Sequence, residues 1–340
     1  MAKRKSYEML SESRVITNAS GTHTVYRIRA NDDLSLRGVK VKKGELGGWI
    51  EKISNLDGTS WVADNAVVCD DAQVKNGSCV LHSAIVYGKA VIDNESSISG
   101  NAHVFGNALV DNRSFVTSSA MVFDNAKITN NSGVWDKCLV FDNAVVNDNS
   151  TISDDAQISG NAYISNYCKV YENAVITDKA QLYHKSFVLG DAKIFDNARV
   201  ESSTVWHHAK VYGNAVVRME SSVKNFAKVF GNAIVENSQV EDRSEVYGNA
   251  KVLDTSCVYR KTLLGGNVVA TENAKLGLNG VRIDGDILFN GRKFFLNVNN
   301  IEKHLKETNQ LDNKYTIIQD AKVSKTRKVN KVVRTYDNER

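Results

Sequence analysis

Seven histidines and five cysteines are the side chains of this 340-residue sequence with most scope for chemistry. Given partners, each could act as base, nucleophile or metal ligand. His23 lies in a β-rich N-terminal segment, His304 in a stretch patterned as a helix, His82 and His184 at turn positions, and His103 on an outward strand position. His207 and His208, in VWHHAK, directly follow an irregularity in the pattern described below, which makes them the best-placed candidates for a general base. No Asp or Glu is evidently placed to orient either ring. The cysteines (Cys69, Cys79, Cys138, Cys168 and Cys257) are odd in number and lack CxxC spacing, which points to reduced thiols and a cytoplasmic protein. Cys and His positions scatter over the sequence pattern, so no metal site is expected. Gly47-Gly48 and Gly265-Gly266 lack the following Lys and helix of a phosphate-cradling loop.

The elements that must position these side chains follow from one period. From Leu56 to Val200, every sixth residue is Val, Ile or Leu, without a slip over 24 hexads. Steps of six would smear apolar residues around an α-helix, whereas β-branched residues between small and Asn/Gly residues describe short strands joined by turns. Four residues after each aliphatic stands a small side chain. It is Ser at 60, 78, 96, 114, 132 and 150, so three hexads make a unit of 18. The chain therefore winds as a triangular β-solenoid, with residues 18 apart stacked at the inter-strand spacing of about 4.8 Å. Hexads are shortened by one residue at Val200–Val205 and Val235–Val240, both at the serine corner. With the later hexads the repeat runs over 56–280, about twelve coils. The absence of proline agrees with a fold in which nearly every strand amide donates to the next coil.

The outward positions separate the three faces. On one, the residue after each aliphatic is Tyr87, Phe105, Phe123 and Phe141, then Ser159 and Thr177, then Phe195, Tyr212, Phe230 and Tyr247. The residue before it is Val67, Ile85, His103, Met121 and Leu139, later Lys193, Lys210, Lys228 and Glu245. Stacked rings stabilise a sheet on their own account. Where both outward positions are apolar, the strip exceeds what a monomer ordinarily exposes, and an interface is expected, either self-association into a parallel homotrimer or a partner protein.

Residues 1–55 read as an N-terminal β cap, 281–318 as a C-terminal cap with a short helix starting at Asn300, and 319–340 as a basic tail. Residues 1–43 carry ten Lys/Arg against four Asp/Glu and 319–340 seven against three, around an acidic middle. Solvated ends explain this distribution; a weaker reading is nucleic-acid contact through KTRKVNK. No apolar run suits a membrane span, and the opening MAKRKSYEML does not read as a signal peptide.

The repeat, an aliphatic followed four residues later by a small side chain, resembles the hexapeptide signature of left-handed parallel β-helices. The segment YRIRA with GELGGWIEKISNLDGTSWVADNAVV, through Gly47-Gly48-Trp49, Asn55-Leu56 and Trp61, resembles the start of YdcK-like proteins, a hexapeptide-repeat family of bacteria, phages and prophages. That resemblance implies the left hand. It also implies a CoA-dependent acyltransferase, generally trimeric, with acyl-CoA between neighbouring solenoids and a His on a projecting loop as base. Here the 24 hexads run without insertion. The favoured reading is thus a non-catalytic structural or interaction protein using Ile85, Tyr87, Phe105, Met121, Phe123, Leu139, Phe141, Phe195, Tyr212, Phe230 and Tyr247, without a cofactor. The alternative is an acyltransferase with acyl-CoA and His207 or His208.

Overall fold

The computed structural model describes residues 5–291, 293–296 and 323–325. It is an all-β parallel solenoid of about 13 turns, divided into two compact units, Met1–Ser202 and Ser203–Arg340. Among the described residues the sole helical element is a 3-10 turn at Ile53–Asn55. The helix expected from Asn300 lies outside the described residues, as does the 319–340 tail apart from 323–325.

In the first unit, most solenoid strands are two residues long, the second pointing inward and the first outward. Pairing is parallel, with partners 18 residues apart, as in Ile85↔His103, Val91↔Leu109 and Ser97↔Phe115 on the three faces. The hexad aliphatics from Leu56 to Val200 are at most 1% exposed. A lone coil could bury none of them; neighbours supply the walls.

The corners explain the serine column. Two of the three corners turn on one residue with positive φ, such as Asp124 (55°), and the small residue then bonds back across the turn, as Ala126 N does to Phe123 O at 3.2 Å. The serine corner uses two such residues in succession, for example Asn130 (53°) and Asn131 (60°). The wider turn is bridged from coil to coil: Ser132 N donates to Ser114 Oγ, Ser150 N to Ser132 Oγ and Cys168 N to Ser150 Oγ, each at 3.2 Å. Serine is needed where a buried amide must be satisfied from the neighbouring coil.

The N-terminal cap consists of β1 (Tyr7–Asn18) and β2 (Gly21–Ala30), a long antiparallel hairpin, then β3 (Leu34–Leu36) and β4 (Val39–Val41), a short one, and β5 (Leu46–Ile50). β5 pairs antiparallel with β2 and parallel with the solenoid strand Val67–Val68, so it covers the edge that the first coil would otherwise expose. Close approach is what Gly47 and Gly48 permit: a Cβ at Gly47 would lie 2.5 Å from Ile28 Cγ1, and one at Gly48 2.7 Å from Ala66 O. Asn55, fully buried, accepts from Lys52 N and donates to Asp70 O and Ala72 O.

In the second unit, partners are again 18 apart at Lys210↔Lys228 but one residue closer at Lys228↔Glu245, Ile234↔Lys251 and Ser222↔Gln239. The shortened hexad Val235–Val240 turns on Asn237 alone (φ 45°), so the deletion removes one of the corner's two positive-φ residues and leaves the strands paired. The final strands, Val281–Ile283 and Ile287–Asn290, pair parallel with the preceding coil, and each carries an antiparallel partner, Val323–Lys325 and Lys293–Leu296.

Candidate functional site

In the first unit the rings of Tyr87, Phe105, Phe123 and Phe141 stack with centroids 4.7, 4.9 and 5.0 Å apart and planes within 5°. They are held by strand pairing, which repeats each outward position at the coil spacing. Beside them run Val67, Ile85, His103, Met121 and Leu139 in register. Burial against this apolar surface holds the His103 imidazole below its ordinary pKa. Next to the rings an amide ladder rises along the turn, Asn107 to Asn125 to Asn143, at 2.9 and 3.0 Å. After Phe141 the column turns polar, with Ser159 Oγ donating to Thr177 Oγ1 at 2.9 Å. Phe195 follows the strand Lys193–Ile194 on this same sheet.

The chain itself covers the first rungs. Val25 of β2 and Trp49 of β5 form one buried cluster with Val67, Cys69 and Tyr87, against which Ile16, Ile85 and Phe105 pack. Tyr87 is only 6% exposed, whereas Phe105, Met121, Phe123, Leu139 and Phe141 are half-buried. The exposed part of the expected interaction face therefore begins at Phe105, and Tyr87 is withdrawn beneath the hairpin. The sequence marks residues 1–55 as a β cap but not the surface on which its hairpin folds back.

In the second unit Tyr212, Phe230 and Tyr247 stack at 4.8 and 5.3 Å. Lys228 bonds Glu245 one coil away at 2.8 Å, and Tyr247 donates to Asp284 Oδ1 at 2.9 Å. Burial and the Asp284 contact push the Tyr247 phenol up to about 12. Cross-coil polar contacts thus flank this column, in contrast to the apolar flanks of Phe123 and Phe141.

His207 has a positive φ of 58°, stacks on Trp206 at 4.1 Å and places Nδ1 2.9 Å from Asn225 Oδ1. His208 stacks on Phe226 at 4.7 Å. Phe226, half exposed, borders an open hollow of about 400 Å³ with Arg243, Arg260 and Lys261. The two histidines are neighbours on a solenoid turn, and the His207 ring faces an amide oxygen, not a carboxylate.

The expected scatter of Cys and His fails at one place. His23, Glu51 and Cys69 present donor atoms all within 4.8 Å of one another, at the tip of the β1–β2 hairpin. No sequence spacing reveals this, because the convergence depends on how the hairpin docks. All five thiols are free of disulfides. Burial raises each of them, Cys69 and Cys138 to about 12 and Cys79, Cys168 and Cys257 to about 11, so none is a ready nucleophile. Among the described residues no helix is long and apolar enough to cross a membrane. No protein-family model matches the chain, and no curated protein matches its sequence.

Proposed function

We propose that this chain is a non-catalytic β-solenoid of the YdcK-like hexapeptide-repeat kind, left-handed, working in a reducing cytoplasm, whose half-buried aromatic face docks a second copy of itself or a partner protein. One observation carries the reading: the same face already holds an apolar cover, the β1–β2 hairpin seated on Val67, Cys69 and Tyr87. The next rungs, Phe123 and Phe141 with Met121 and Leu139, continue that surface beyond the hairpin's cluster. Flat stacked rings lose little rotamer freedom on docking, and the Asn107–Asn125–Asn143 ladder supplies a polar rim. Replacing Phe123 and Phe141 with Ser is expected to convert the assembly seen by light scattering to monomers, or to abolish partner capture, with an unchanged circular dichroism spectrum. A wild-type chain that is monomeric at all concentrations and binds no protein overturns the reading.

A second reading rests on the hollow beside His208. Arg243, Arg260 and Lys261 line it beside Asp242 and offer positive charge suited to the phosphates of acyl-CoA, while Phe226 packs between His208 and Arg243. In that case His207 or His208 is the base of an acyltransferase. Acetyl-CoA at a hundredfold its Kd then stabilises the fold by about 2.7 kcal/mol, seen as a raised Tm. No shift at millimolar acetyl-CoA removes the enzyme reading.

A further inference from the structure

The tip of the β1–β2 hairpin brings together three donor groups from three parts of the chain: His23 in β2, Glu51 directly after β5, and Cys69 directly after the solenoid strand Val67–Val68, with Asp70 beside the same imidazole. The His23 side chain is only 10% exposed. Its Nε2 faces Ser20 Oγ at 3.0 Å, and that hydroxyl donates to Asp70 Oδ2 at 2.6 Å. Its Nδ1 faces two carboxylate oxygens at once, Glu51 Oε1 at 3.4 Å and Asp70 Oδ1 at 3.5 Å. Each carboxylate is oriented by backbone on its other oxygen. Glu51 Oε2 accepts from Asp70 N at 2.5 Å, and Asp70 Oδ2 accepts from Gly88 N at 2.9 Å. Behind them Cys69 Sγ accepts from Asn18 Nδ2 at 3.4 Å.

A single hydrogen bond, between Nδ1 and Glu51 Oε1, leaves the Asp70 carboxylate unserved by that nitrogen. One ring nitrogen has at most one proton to offer, two carboxylates converge on it, and both separations exceed the usual range of roughly 2.7–3.2 Å. The 3.4 Å from His23 Nδ1 to Glu51 Oε1 matches the edge of a tetrahedron around an ion with bonds of about 2.0–2.2 Å, which is about 1.6 bond lengths. Nitrogen, oxygen and sulfur donors together suit zinc and its neighbours, and do not suit calcium or magnesium, which take oxygen. The contacts of Ser20 and Asn18 are those that orient a ligating imidazole and a ligating thiolate.

We propose that His23 Nδ1, Glu51 Oε1 and Cys69 Sγ bind a zinc-class divalent transition-metal ion, with water in the fourth position, which clamps the hairpin to the first coil. The ligands lie on the cap and on the solenoid, so the ion ties together parts that are otherwise held by the Val25–Trp49–Val67 cluster. This site is independent of the docking reading of Phe123 and Phe141.

The test uses full-length, tag-free protein, stripped with a chelator and titrated with Co²⁺. One equivalent is expected to bind, with the strong d–d absorption of a tetrahedral ion and a thiolate-to-cobalt charge-transfer band, both lost on adding Zn²⁺. Cys69→Ser removes the charge-transfer band. His23→Gln weakens binding by at least roughly tenfold, since even the outer partners of metal ligands are worth about 10–100-fold. Cys138→Ser keeps the wild-type spectrum. If Cys69→Ser fails to fold by circular dichroism, melting of the wild-type chain decides, with equimolar Zn²⁺ required to raise Tm. A folded wild-type chain that gives no cobalt spectrum, a spectrum unchanged in Cys69→Ser, or a Tm insensitive to Zn²⁺ overturns the site.

Discussion

At the scale of single residues, serine in this solenoid is a hydrogen-bonding part and not merely a small side chain. Ser132 Oγ receives the amide of Ser150, while Ser96 Oγ has no partner. Both are fully buried and of the same shape. Ser132→Ala strands a buried amide and is expected to cost about 1–3 kcal/mol. Ser96→Ala removes an unsatisfied hydroxyl and should be neutral or stabilising. Urea denaturation of the two variants side by side distinguishes this account from simple packing, which predicts equal effects. The glycines divide likewise. Gly133 is required because the Phe115 ring lies over it, where a Cβ would come within 2.3 Å of the ring. Phe115 also stacks with Trp135 at 5.6 Å, a pair that hexad counting on the aromatic face did not bring out.

At the scale of elements, the β1–β2 hairpin decides which rungs of the aromatic face meet solvent. Its Val25 is fully buried, and the Tyr87 phenol beneath it is raised above its ordinary value of 10 chiefly by burial, then by the neighbouring Cys69 and Asp70. A raised pKa in the folded state means that the unfolded chain releases its proton first. The contribution of Tyr87 to stability is thus complete below pH 10 and is lost as pH rises through the folded value. Val25→Asp is expected to lift the hairpin and return Tyr87 towards ordinary titration, read as phenolate absorption appearing at lower pH. Unaltered titration in a folded Val25→Asp chain contradicts the covering role of the hairpin.

At the scale of the whole molecule, the physical unit is the coil and not the hexad. Stability accrues from coil-to-coil contacts, as in other repeat architectures. Deleting Asp124–Phe141, one full coil, rejoins every column to its own kind: serine above serine, ring above ring. Deleting six residues, Asp124–Thr129, keeps an aliphatic at each inward position but shifts every later face by one, so the double positive-φ corner meets single ones. The coil deletion is expected to melt cooperatively within a few degrees of the parent. The hexad deletion should melt far lower or fail to fold. Similar Tm values for both would show that aliphatic stacking alone holds the solenoid and that its three faces are interchangeable.

Much of this was legible without coordinates because stacking is a local rule repeated many times. An aliphatic every six residues and a serine every 18 leave one way to bury the chain, and Tyr87, Phe105, Phe123 and Phe141 lie in one column because the strand period is exact on each coil. Even the deletion at Val235–Val240 was visible as a shortened corner; that it leaves a single positive-φ residue, Asn237, where other serine corners have two, came from the backbone. What only the tertiary structure decided is everything that depends on a non-repeating element folding onto the repeat. The hairpin's landing on Tyr87, and the meeting of His23 with Glu51, Cys69 and Asp70, join residues from separate elements by antiparallel docking. No period in the sequence encodes such a docking, because it is fixed once, by the shapes and charges of two surfaces, and not coil by coil.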